Sequence, residues 1–282
     1  MKRGQVDASD KDVRCVDLTP SDHIALLTDF GLSDWYVGVM KGVILSINPA
    51  AVIIDLAHSV PPQDIQAASF VLLASYKYLP AGAIVVVVVD PGVGGERKIL
   101  CAESAGRRFV FPDNGVLTEV LDREGIVKMV SVENREFFLE LVSNTFHGRD
   151  IFASVAAHLS LGVEIERLGP ATEQWLRIEI PNPETWEDGA TAHVRWVDGF
   201  GNLITDCSAG LLEELLSKWG GASVDLGARG EAQIVSAYEA VEHNRALAII
   251  GSSGYLEVSI RGDNAAQTLG LGLGDRITVR RP

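Results

Sequence analysis

Two kinds of apolar spacing alternate along the first half of the chain. Short apolar runs at residues 23–28, 52–56 and 84–89 predict strands, and the third run is an isoleucine followed only by valines. Between these runs, apolar side chains recur at helical spacing over residues 36–47 and 64–78. A strand that is apolar at every position is buried on both faces, as in a parallel sheet covered by helices. The pattern therefore predicts an α/β domain with a doubly wound, largely parallel sheet.

The alternation continues more weakly and then stops at a proline-rich stretch. Prolines at positions 181 and 183 interrupt the pattern and indicate a linker. We therefore place the first domain at residues 22–180, after a loose N-terminal tail at residues 1–21. Further elements predicted inside this domain are strands at residues 99–102, 108–111 and 127–132 and a closing helix at residues 150–161.

Past residue 190 the pattern changes to short strands separated by glycine-rich turns. One amphipathic helix is predicted over residues 211–218. This pattern indicates a small β-barrel domain over residues 190–282. Its predicted strands are residues 192–197, 203–205, 246–250, 255–260 and 276–279.

Composition and charge narrow the possible functions. Of the 282 residues 47% are hydrophobic, which supplies a sizeable core, and the formal net charge is -14. Such an acidic chain is not expected to bind nucleic acid or an anionic membrane, whereas a cationic small molecule is compatible with it. The three cysteines form no CxxC pair, so we expect a cytoplasmic protein. No apolar run reaches membrane-spanning length and the first twenty residues are polar, so neither membrane insertion nor secretion is expected.

Carboxylates stand at the carboxyl ends of three of the predicted parallel strands. Asp29, Asp55 and Asp90 each stand at the predicted carboxyl end of a strand. Ligands of open α/β sheets bind outside those ends, so the three positions predict a binding site. Capping of helices and turns explains any one such aspartate equally well, although it does not require the same residue at each strand end.

Two further polar residues stand close to these strand ends. Arg97 lies seven residues past Asp90, beyond a glycine-rich turn, and a plain ion pair is the alternative to a functional contact. His147 precedes the last predicted helix of the first domain. The dipole of this helix favours a neutral imidazole, which is able to accept a proton. A packed loop histidine is the alternative, and for His58 we prefer that structural interpretation. With the aspartates, the histidines would suit a metallophosphatase, but no HxH, HExxH or DxD spacing occurs among them, so we expect no metal.

Two turns of the second domain carry polar and aromatic groups. Asp198, Phe200 and Asn202 lie within one short turn, where a plain hairpin explains the aspartate and the asparagine but not the phenylalanine. Ser252 lies in Gly-Ser-Ser-Gly, a turn whose hydroxyls and backbone donors suit a carboxylate.

The ordered set of motifs resembles the S-adenosylmethionine (SAM) hydrolases, also called SAM hydroxide adenosyltransferases, whose relatives include fluorinases and chlorinases. Each motif is weak alone, but together they run in the family's order from about residue 24 to residue 265. The matching segments are LLTDFGLSDWYVGVMKG, DLAHSVPP, VVVDPGVGG with Arg97, FPDNG, TFHGRD, VDGFGNLITD and GSSGYLEV.

The resemblance implies hydrolysis of SAM to adenosine and methionine without a cofactor. It also implies an α/β domain followed by a β-barrel, in a homotrimer with sites at subunit interfaces. Asp90, Arg97 and His147 match the triad that holds the attacking water. The implied substrate contacts are Asp29 to the ribose, Phe200 and Asn202 to adenine, Asp198 and Ser252 to the methionine amine and carboxylate, and Asp34, Tyr36, Phe146 and Tyr255 around them.

Two positions depart from the halogenating relatives. By the resemblance, halogenases carry a tyrosine at Asp90 and a serine at Gly148. A halide about 4 Å from a carboxylate would be repelled by on the order of 4 kcal/mol at an effective dielectric near 20. Water is therefore the expected nucleophile. A halide-using relative and a non-catalytic module that binds SAM or adenosine remain the alternatives.

Overall fold

The computed structural model describes residues 21–281, which form two compact units divided between Glu179 and Ile180. The predicted tail lies outside the described residues, apart from Ser21. Among the described residues, no helix is both long and apolar enough to cross a membrane.

The first unit is built on a six-stranded sheet. Its strand order is β2-β1-β3-β5-β4-β6, with β1 between its two parallel neighbours β2 and β3. Its strands are β1 (His23–Thr28), β2 (Val52–Ala57), β3 (Ile84–Val88), β4 (Ile99–Ser104), β5 (Arg107–Pro112) and β6 (Lys128–Ser131). Its α-helices are α1 (Tyr36–Ile47), α2 (Ile65–Ser75), α3 (Thr118–Glu124) and α4 (Ser154–Ser160).

A hairpin reverses one strand of this sheet. β3 and β5 are parallel, but β4 is antiparallel to both β5 and β6, so β4 alone runs against the other five strands. Ala105 and Gly106, which join β4 to β5, both have positive φ, of 51° and 68°. Such a two-residue turn matches the twist of an antiparallel hairpin. The prediction of a largely parallel α/β sheet is confirmed.

Helices pack on both faces of the sheet. Ile24 and Leu26 of β1 share a core cluster with Met40 and Ile44 of α1, which packs against α4. The alternate residues of β1 point to the other face and are equally buried, and there α2 packs against β1 and α3. Burial on both faces explains why the valines of β3 form an unbroken run.

Helix boundaries follow local signals in two cases and depart from them in a third. α1 ends at Ile47 and is capped by Asn48, just before Pro49. α2 begins after Asp64, whose side chain accepts a hydrogen bond from Ala67 N. The closing helix predicted over residues 150–161 begins earlier, as a π-helix at Gly148–Ala153 that continues into α4. A π-helix adds one residue to a turn, a change that apolar spacing does not reveal.

The second unit is a closed β-barrel. Its sheet order is β14-β10-β11-β12-β13-β9-β8-β7, and pairing of β14 with β8 closes seven strands into a barrel with β7 outside it. The predicted barrel is confirmed, although β10 and β11 were too short to be predicted. Its elements are β7 (Glu184–Trp186), β8 (Gly189–Val197), β9 (Leu203–Ser208), α5 (Ala209–Trp219), β10 (Ser223–Asp225), β11 (Glu231–Ile234), β12 (Ala246–Ile250), β13 (Tyr255–Ile260), α6 (Ala265–Leu269) and β14 (Arg276–Arg280).

Candidate active site

The topology of the first unit brings the ends of β1 and β3 together. The chain leaves β1 toward β2 on one side and returns as β3 on the other, so the strand order reverses between β1 and β3. Thr28 and Val88 are paired in the register, and Asp29 and Asp90 follow within two residues. A reversal of this kind opens a crevice at the carboxyl ends of the strands, where α/β proteins bind ligands.

One guanidinium connects Asp90 to His147. Arg97 Nε lies 3.0 Å from each oxygen of the Asp90 carboxylate, and Nη2 also donates to Oδ2. The same Nη2 lies 2.8 Å from His147 Nδ1. The side chains of Arg97 and Asp90 are only 10% and 4% exposed, so solvent screens this pair little. The structure thus brings together the three residues that the sequence predicted as a triad.

The contact with Arg97 sets the protonation state of His147. A guanidinium only donates hydrogen bonds, so Nδ1 must accept and the neutral imidazole carries its proton on Nε2. Burial and then the Arg97 charge lower the pKa of His147, against smaller opposing effects of Asp90 and Asp150. His147 is therefore neutral at pH 7, with its Nε2–H available for a further partner.

Two hydrogen-bonding arrangements place the triad residues. Asn114, from the FPDNG motif, donates from Nδ2 to Val89 O at 2.9 Å and so fixes the chain just before Asp90. Asp150 is fully buried, and its Oδ2 accepts from both the backbone N and the hydroxyl of Ser143, each at 2.8 Å. The Ser143 hydroxyl also accepts from Phe146 N, which ties down the loop that carries His147. Asn114, Asp150 and Ser143 were not predicted as site residues.

The triad opens onto a pocket of about 220 Å³ at the end of the sheet. Complete small-molecule sites usually measure about 300–1,000 Å³, so this pocket fits part of a substrate. Asp29 lies in its wall, and Asp29 Oδ2 accepts from Gln63 N at 2.8 Å. The pocket is lined by Asp29, Phe30, Pro62, Gln63, Val88, Asp90, Val93, Thr145, Phe146, His147 and Gly148. Gln63 and Phe30 were not predicted, since neither belongs to a residue type that marks a site.

Three aromatic rings stand together beside this pocket. The centroid of Tyr36 lies 5.4 Å from that of Phe30 and 5.1 Å from that of Phe146, and the third distance is 5.8 Å. Ring faces attract cations, so this cluster suits a positively charged group. Gly148 leaves room here: an added Cβ would lie 3.3 Å from both the Phe146 ring and Val88.

Two predicted positions lie away from the pocket wall. Asp55 lies near the end of β2 but does not join the pocket predicted at the strand ends, and it accepts hydrogen bonds from Lys41 and His58 instead. Asp34 lies exposed in the loop before α1. His58 is buried against Thr28 and Asp55, in line with the structural interpretation.

In the second unit, Asp198 and Asn202 organise their own turn. Asp198 Oδ1 accepts from the backbone N of both Phe200 and Asn202, and Oδ2 accepts from Asn202 Nδ2, all at 2.9 Å. Phe200 is 81% exposed at the tip of this turn. A pocket of about 520 Å³ adjoins it, with Tyr238 and Arg261 also in its wall. An exposed ring beside a pocket of this size is suited to stack on a flat ligand.

The other predicted turn of this unit precedes β13. Gly251 N donates to Tyr255 O and Gly254 N donates to Gly251 O, both at 3.0 Å. Ser252 is exposed on this turn, and Tyr255 begins β13. The hydroxyl of Ser253 is buried and has no hydrogen-bond partner within the described part of the chain, which adds Ser253 to the possible ligand-binding residues.

No group of three or more His, Cys, Asp or Glu side chains within residues 21–281 is arranged to hold a metal ion. In the first unit, Arg97 joins Asp90 directly to His147.

Fold and site together define an enzyme with an α/β domain, a half-buried Asp–Arg–His group at a strand switch point and a β-barrel domain. Models of the SAM hydroxide adenosyltransferase N-terminal and C-terminal domains match residues 24–169 and 192–278. The chain belongs to this family.

Relatives across the family's range are similar over nearly the whole chain. A protein of Salinispora tropica named (R)-S-adenosyl-L-methionine hydrolase is 38% identical, over 93% of this chain and 99% of its own length. A fluorinase of Nocardia brasiliensis is 26% identical, over 91% of this chain and 96% of its own. A crystal structure of an uncharacterized conserved protein from Thermotoga maritima matches with a TM-score of 0.87 and 38% identity, covering 92% of this chain and all of that one.

Proposed function

We propose that this protein hydrolyses S-adenosyl-L-methionine to adenosine and L-methionine. The observation that carries the proposal is the half-buried Asp90–Arg97–His147 group, which opens onto the pocket that also holds Asp29. The four relatives named as (R)-S-adenosyl-L-methionine hydrolases, at 32–38% identity, support the same reaction.

The reaction needs no general acid for its leaving group. In the substrate, sulfur carries the positive charge of a sulfonium. Water oxygen attacks C5′ from the side opposite sulfur, the C5′–S bond breaks, and its electron pair neutralises sulfur as methionine leaves. Water loses one proton, which passes to the Asp90 carboxylate and then to solvent. What remains for the protein is to align water with the C5′–S bond and to stabilise developing hydroxide.

In this assignment the triad residues hold the water. The Asp90 carboxylate is an acceptor held fixed by three hydrogen bonds from Arg97, and the His147 ring offers its Nε2 side. Arg97 supplies positive charge that stabilises hydroxide as the proton leaves. Positive charge on sulfur disappears in the transition state, so a carboxylate close to sulfur would slow the step. The rings of Phe30, Tyr36 and Phe146 provide a weaker attraction there.

The remaining substrate groups are assigned to both units. Asp29 accepts from the ribose hydroxyls, with Asp34 and Tyr36 nearby. In the second unit, Phe200 stacks on adenine and Asn202 binds its edge. The methionine end is assigned to Asp198 for the amine and to Ser252, Ser253 and Tyr255 for the carboxylate. By these assignments residues 22–180 form the nucleophile and ribose domain, and residues 190–282 the adenine and methionine domain.

We further propose a cytoplasmic homotrimer with sites at its subunit interfaces. The first-unit pocket, of about 220 Å³, is small for a whole SAM molecule, which favours completion of the site by a neighbouring chain. Exposed apolar side chains at Leu32, Trp35 and Leu141 supply surface that association would cover. Cys101 and Cys207 are free thiols, as a reducing compartment allows.

The proposal is tested by identifying the products. Purified protein is incubated with SAM in buffer containing EDTA, and the products are separated by chromatography. Adenosine and methionine in equal amounts are expected, with no dependence on added chloride or fluoride. Methylthioadenosine or S-adenosylhomocysteine as the main product would refute the proposal. A 5′-halogenated adenosine would point to the halide-using alternative, and binding without turnover to a non-catalytic module.

A further inference from the structure

His58 is tied to both sides of Asp29 although its ring does not line the pocket. Its Nδ1 lies 2.9 Å from Thr28 Oγ1, just before Asp29. Its carbonyl oxygen accepts from Gly31 N at 2.6 Å, just after Asp29. Thus one residue on the loop after β2 holds the two ends of the short stretch that carries the ribose-binding carboxylate.

The hydrogen bonds of His58 have a defined direction. Nε2 lies 3.0 Å from Asp55 Oδ1, and a carboxylate only accepts, so Nε2 carries the proton. Nδ1 then accepts from the Thr28 hydroxyl, which itself accepts from Phe30 N at 3.3 Å. Each group in this series of hydrogen bonds has a fixed role, as donor or as acceptor, toward its neighbour. The His58 side chain is 2% exposed, so water does not compete with these bonds.

A third bond reaches the Asp29 carboxylate itself. Gln63 N donates to Asp29 Oδ2 at 2.8 Å, and Gln63 has a φ of 64°. Residues other than glycine adopt such left-handed backbone seldom, and they keep it where the surrounding structure imposes it, often at functional sites. Gln63 lies between Pro62, whose ring fixes its own φ, and Asp64, which caps α2. With Oδ2 held by Gln63, the Asp29 carboxylate has one rotational position.

We infer that His58, with Thr28 and Gln63, forms a positioning clamp that orients the Asp29 carboxylate to accept hydrogen bonds from the ribose hydroxyls. The inference rests on the proposed function, since it takes Asp29 as the ribose ligand. The clamp makes the site selective for ribose over deoxyribose. A carboxylate free to rotate would bind both sugars more equally.

The test measures this selectivity through Thr28→Val, which keeps the shape of the side chain and removes the hydroxyl. Dissociation constants of adenosine and 2′-deoxyadenosine are measured by calorimetry. Loss of a hydrogen bond to a charged group corresponds to a preference for adenosine of about 10- to 100-fold in the wild type. Thr28→Val is expected to reduce that preference by about 3- to 10-fold, because the clamp loses one neutral hydrogen bond.

Thr118→Val is the matched control. Thr118 is as buried as Thr28, and its hydroxyl likewise donates to one partner, Gly115 O, and accepts from another, Ile178 N. Thr118→Val should lose comparable stability and keep the wild-type preference for adenosine. In an Asp29→Ala background, Thr28→Val should change the preference no further, because its effect passes through Asp29.

Three results would overturn the clamp. They are a folded Thr28→Val with wild-type preference, an equal loss of preference in Thr118→Val, and a wild type that binds both nucleosides equally. If Thr28→Val does not fold, Asp55→Ala takes its place, because Asp55 is half-exposed and orients the same His58 ring. SAM turnover, measured on the same preparations, reports on the proposed function separately: turnover without ribose preference refutes only the clamp, and preference without turnover refutes only the hydrolase.

Discussion

Arg97 joins the Asp90 carboxylate to the His147 imidazole. With both Asp90 oxygens and His147 Nδ1 engaged by one guanidinium, the orientations of these two side chains are coupled. Removal of either group leaves the guanidinium buried with an unused donor, which costs more than the lost bond alone. The three residues therefore function as a unit, and their substitutions should not be additive.

Asp90→Asn should lower kcat by on the order of 100- to 1,000-fold while the dissociation constant of SAM changes by less than about threefold. The proposed partner of Asp90 is the water rather than the substrate, and His147→Ala should behave in the same way. Asp29→Ala should show the opposite pattern, with weakened binding, because it leaves the ribose hydroxyls unpaired. Single-turnover kinetics and calorimetry separate the two effects. Abolished binding in Asp90→Asn with normal binding in Asp29→Ala would contradict these roles.

The pH dependence of kcat/KM should report the neutral state of His147. Burial and Arg97 lower the pKa of this histidine below its ordinary value of 6.5, and protonation would place a proton on the nitrogen that faces Arg97. Activity should therefore be constant at neutral pH and fall in acid, with a midpoint below 6.5. The free energy of unfolding should also fall in acid. As the pH decreases, the unfolded chain binds a proton at this histidine before the folded chain does. An acid midpoint at or above 6.5 would show that His147 is not held neutral by Arg97.

The residue types of the triad could be predicted from the sequence, but the hydrogen bonds that hold the site residues in place could not. Aspartates after apolar strands and a histidine before a helix are visible as patterns. Gln63 donates a hydrogen bond to Asp29 through its backbone N–H. Every residue except proline has this group, so no side-chain pattern reveals the contact. Asp55 was predicted at the site from its place near the end of β2, a pattern that does not show its hydrogen bonds with Lys41 and His58.

At the level of elements, α1 and β1 match their predicted limits because several local signals agree there. Asn48-Pro49 ends α1, and β1 is apolar from Ile24 to Leu27. The closing helix differs because a π-helix and an α-helix have nearly the same apolar spacing. The π-helix stands directly after His147, where one wide turn allows buried Asp150 to reach back to Ser143.

Asp150→Asn should loosen the loop before this π-helix. Asp150 accepts hydrogen bonds from Ser143 and Arg149. The NH2 group of an asparagine in its place would face one of these donors and could not accept its hydrogen bond. A loss of about 1–3 kcal/mol in the free energy of unfolding is expected. Burial raises the pKa of Asp150, but the bonds from Arg149 and Ser143 outweigh it and lower the pKa below 3.8.

The lowered pKa of Asp150 gives this prediction a signature in acid. Its stabilisation is complete above the unfolded pKa and is lost as the pH decreases through the folded value. Thermal melting followed below about pH 4 should therefore decline less in Asp150→Asn than in the wild type. Parallel acid curves for the two proteins would show that this carboxylate does not stabilise the loop.

At the scale of the whole molecule, the predicted ligands divide between two compact units. Asp29, Asp90 and His147 belong to the first, and Asn202 and Ser252 to the second. The barrel could be predicted from strand number and glycine-rich turns, whereas pairing of β14 with β8, which closes it, joins strands far apart in sequence and leaves no local signal. In a cyclic trimer, a heterologous interface sets one surface of each chain against a different surface of its neighbour.

Mixed trimers test whether neighbouring chains share sites. Asp90→Asn and Asn202→Ala, each nearly inactive alone, are unfolded together in equal amounts and refolded. Random assortment gives roughly one quarter of the shared sites two intact halves, so activity should recover to roughly a quarter of wild type. If each site lies within one chain, every site keeps a lesion. Trimers, verified by light scattering, that regain no activity would contradict the shared site and leave the hydrolase proposal intact.

The most direct measurement of the central claim uses water enriched in heavy oxygen. If water attacks C5′ of SAM, the new bond to oxygen is the 5′-hydroxyl of adenosine. Mass spectrometry of a completed reaction should find the label in adenosine, at the 5′ position, and none in methionine. Unlabelled adenosine, or label in an amino-acid product, would contradict attack of water at C5′ and with it the role assigned to Asp90, Arg97 and His147.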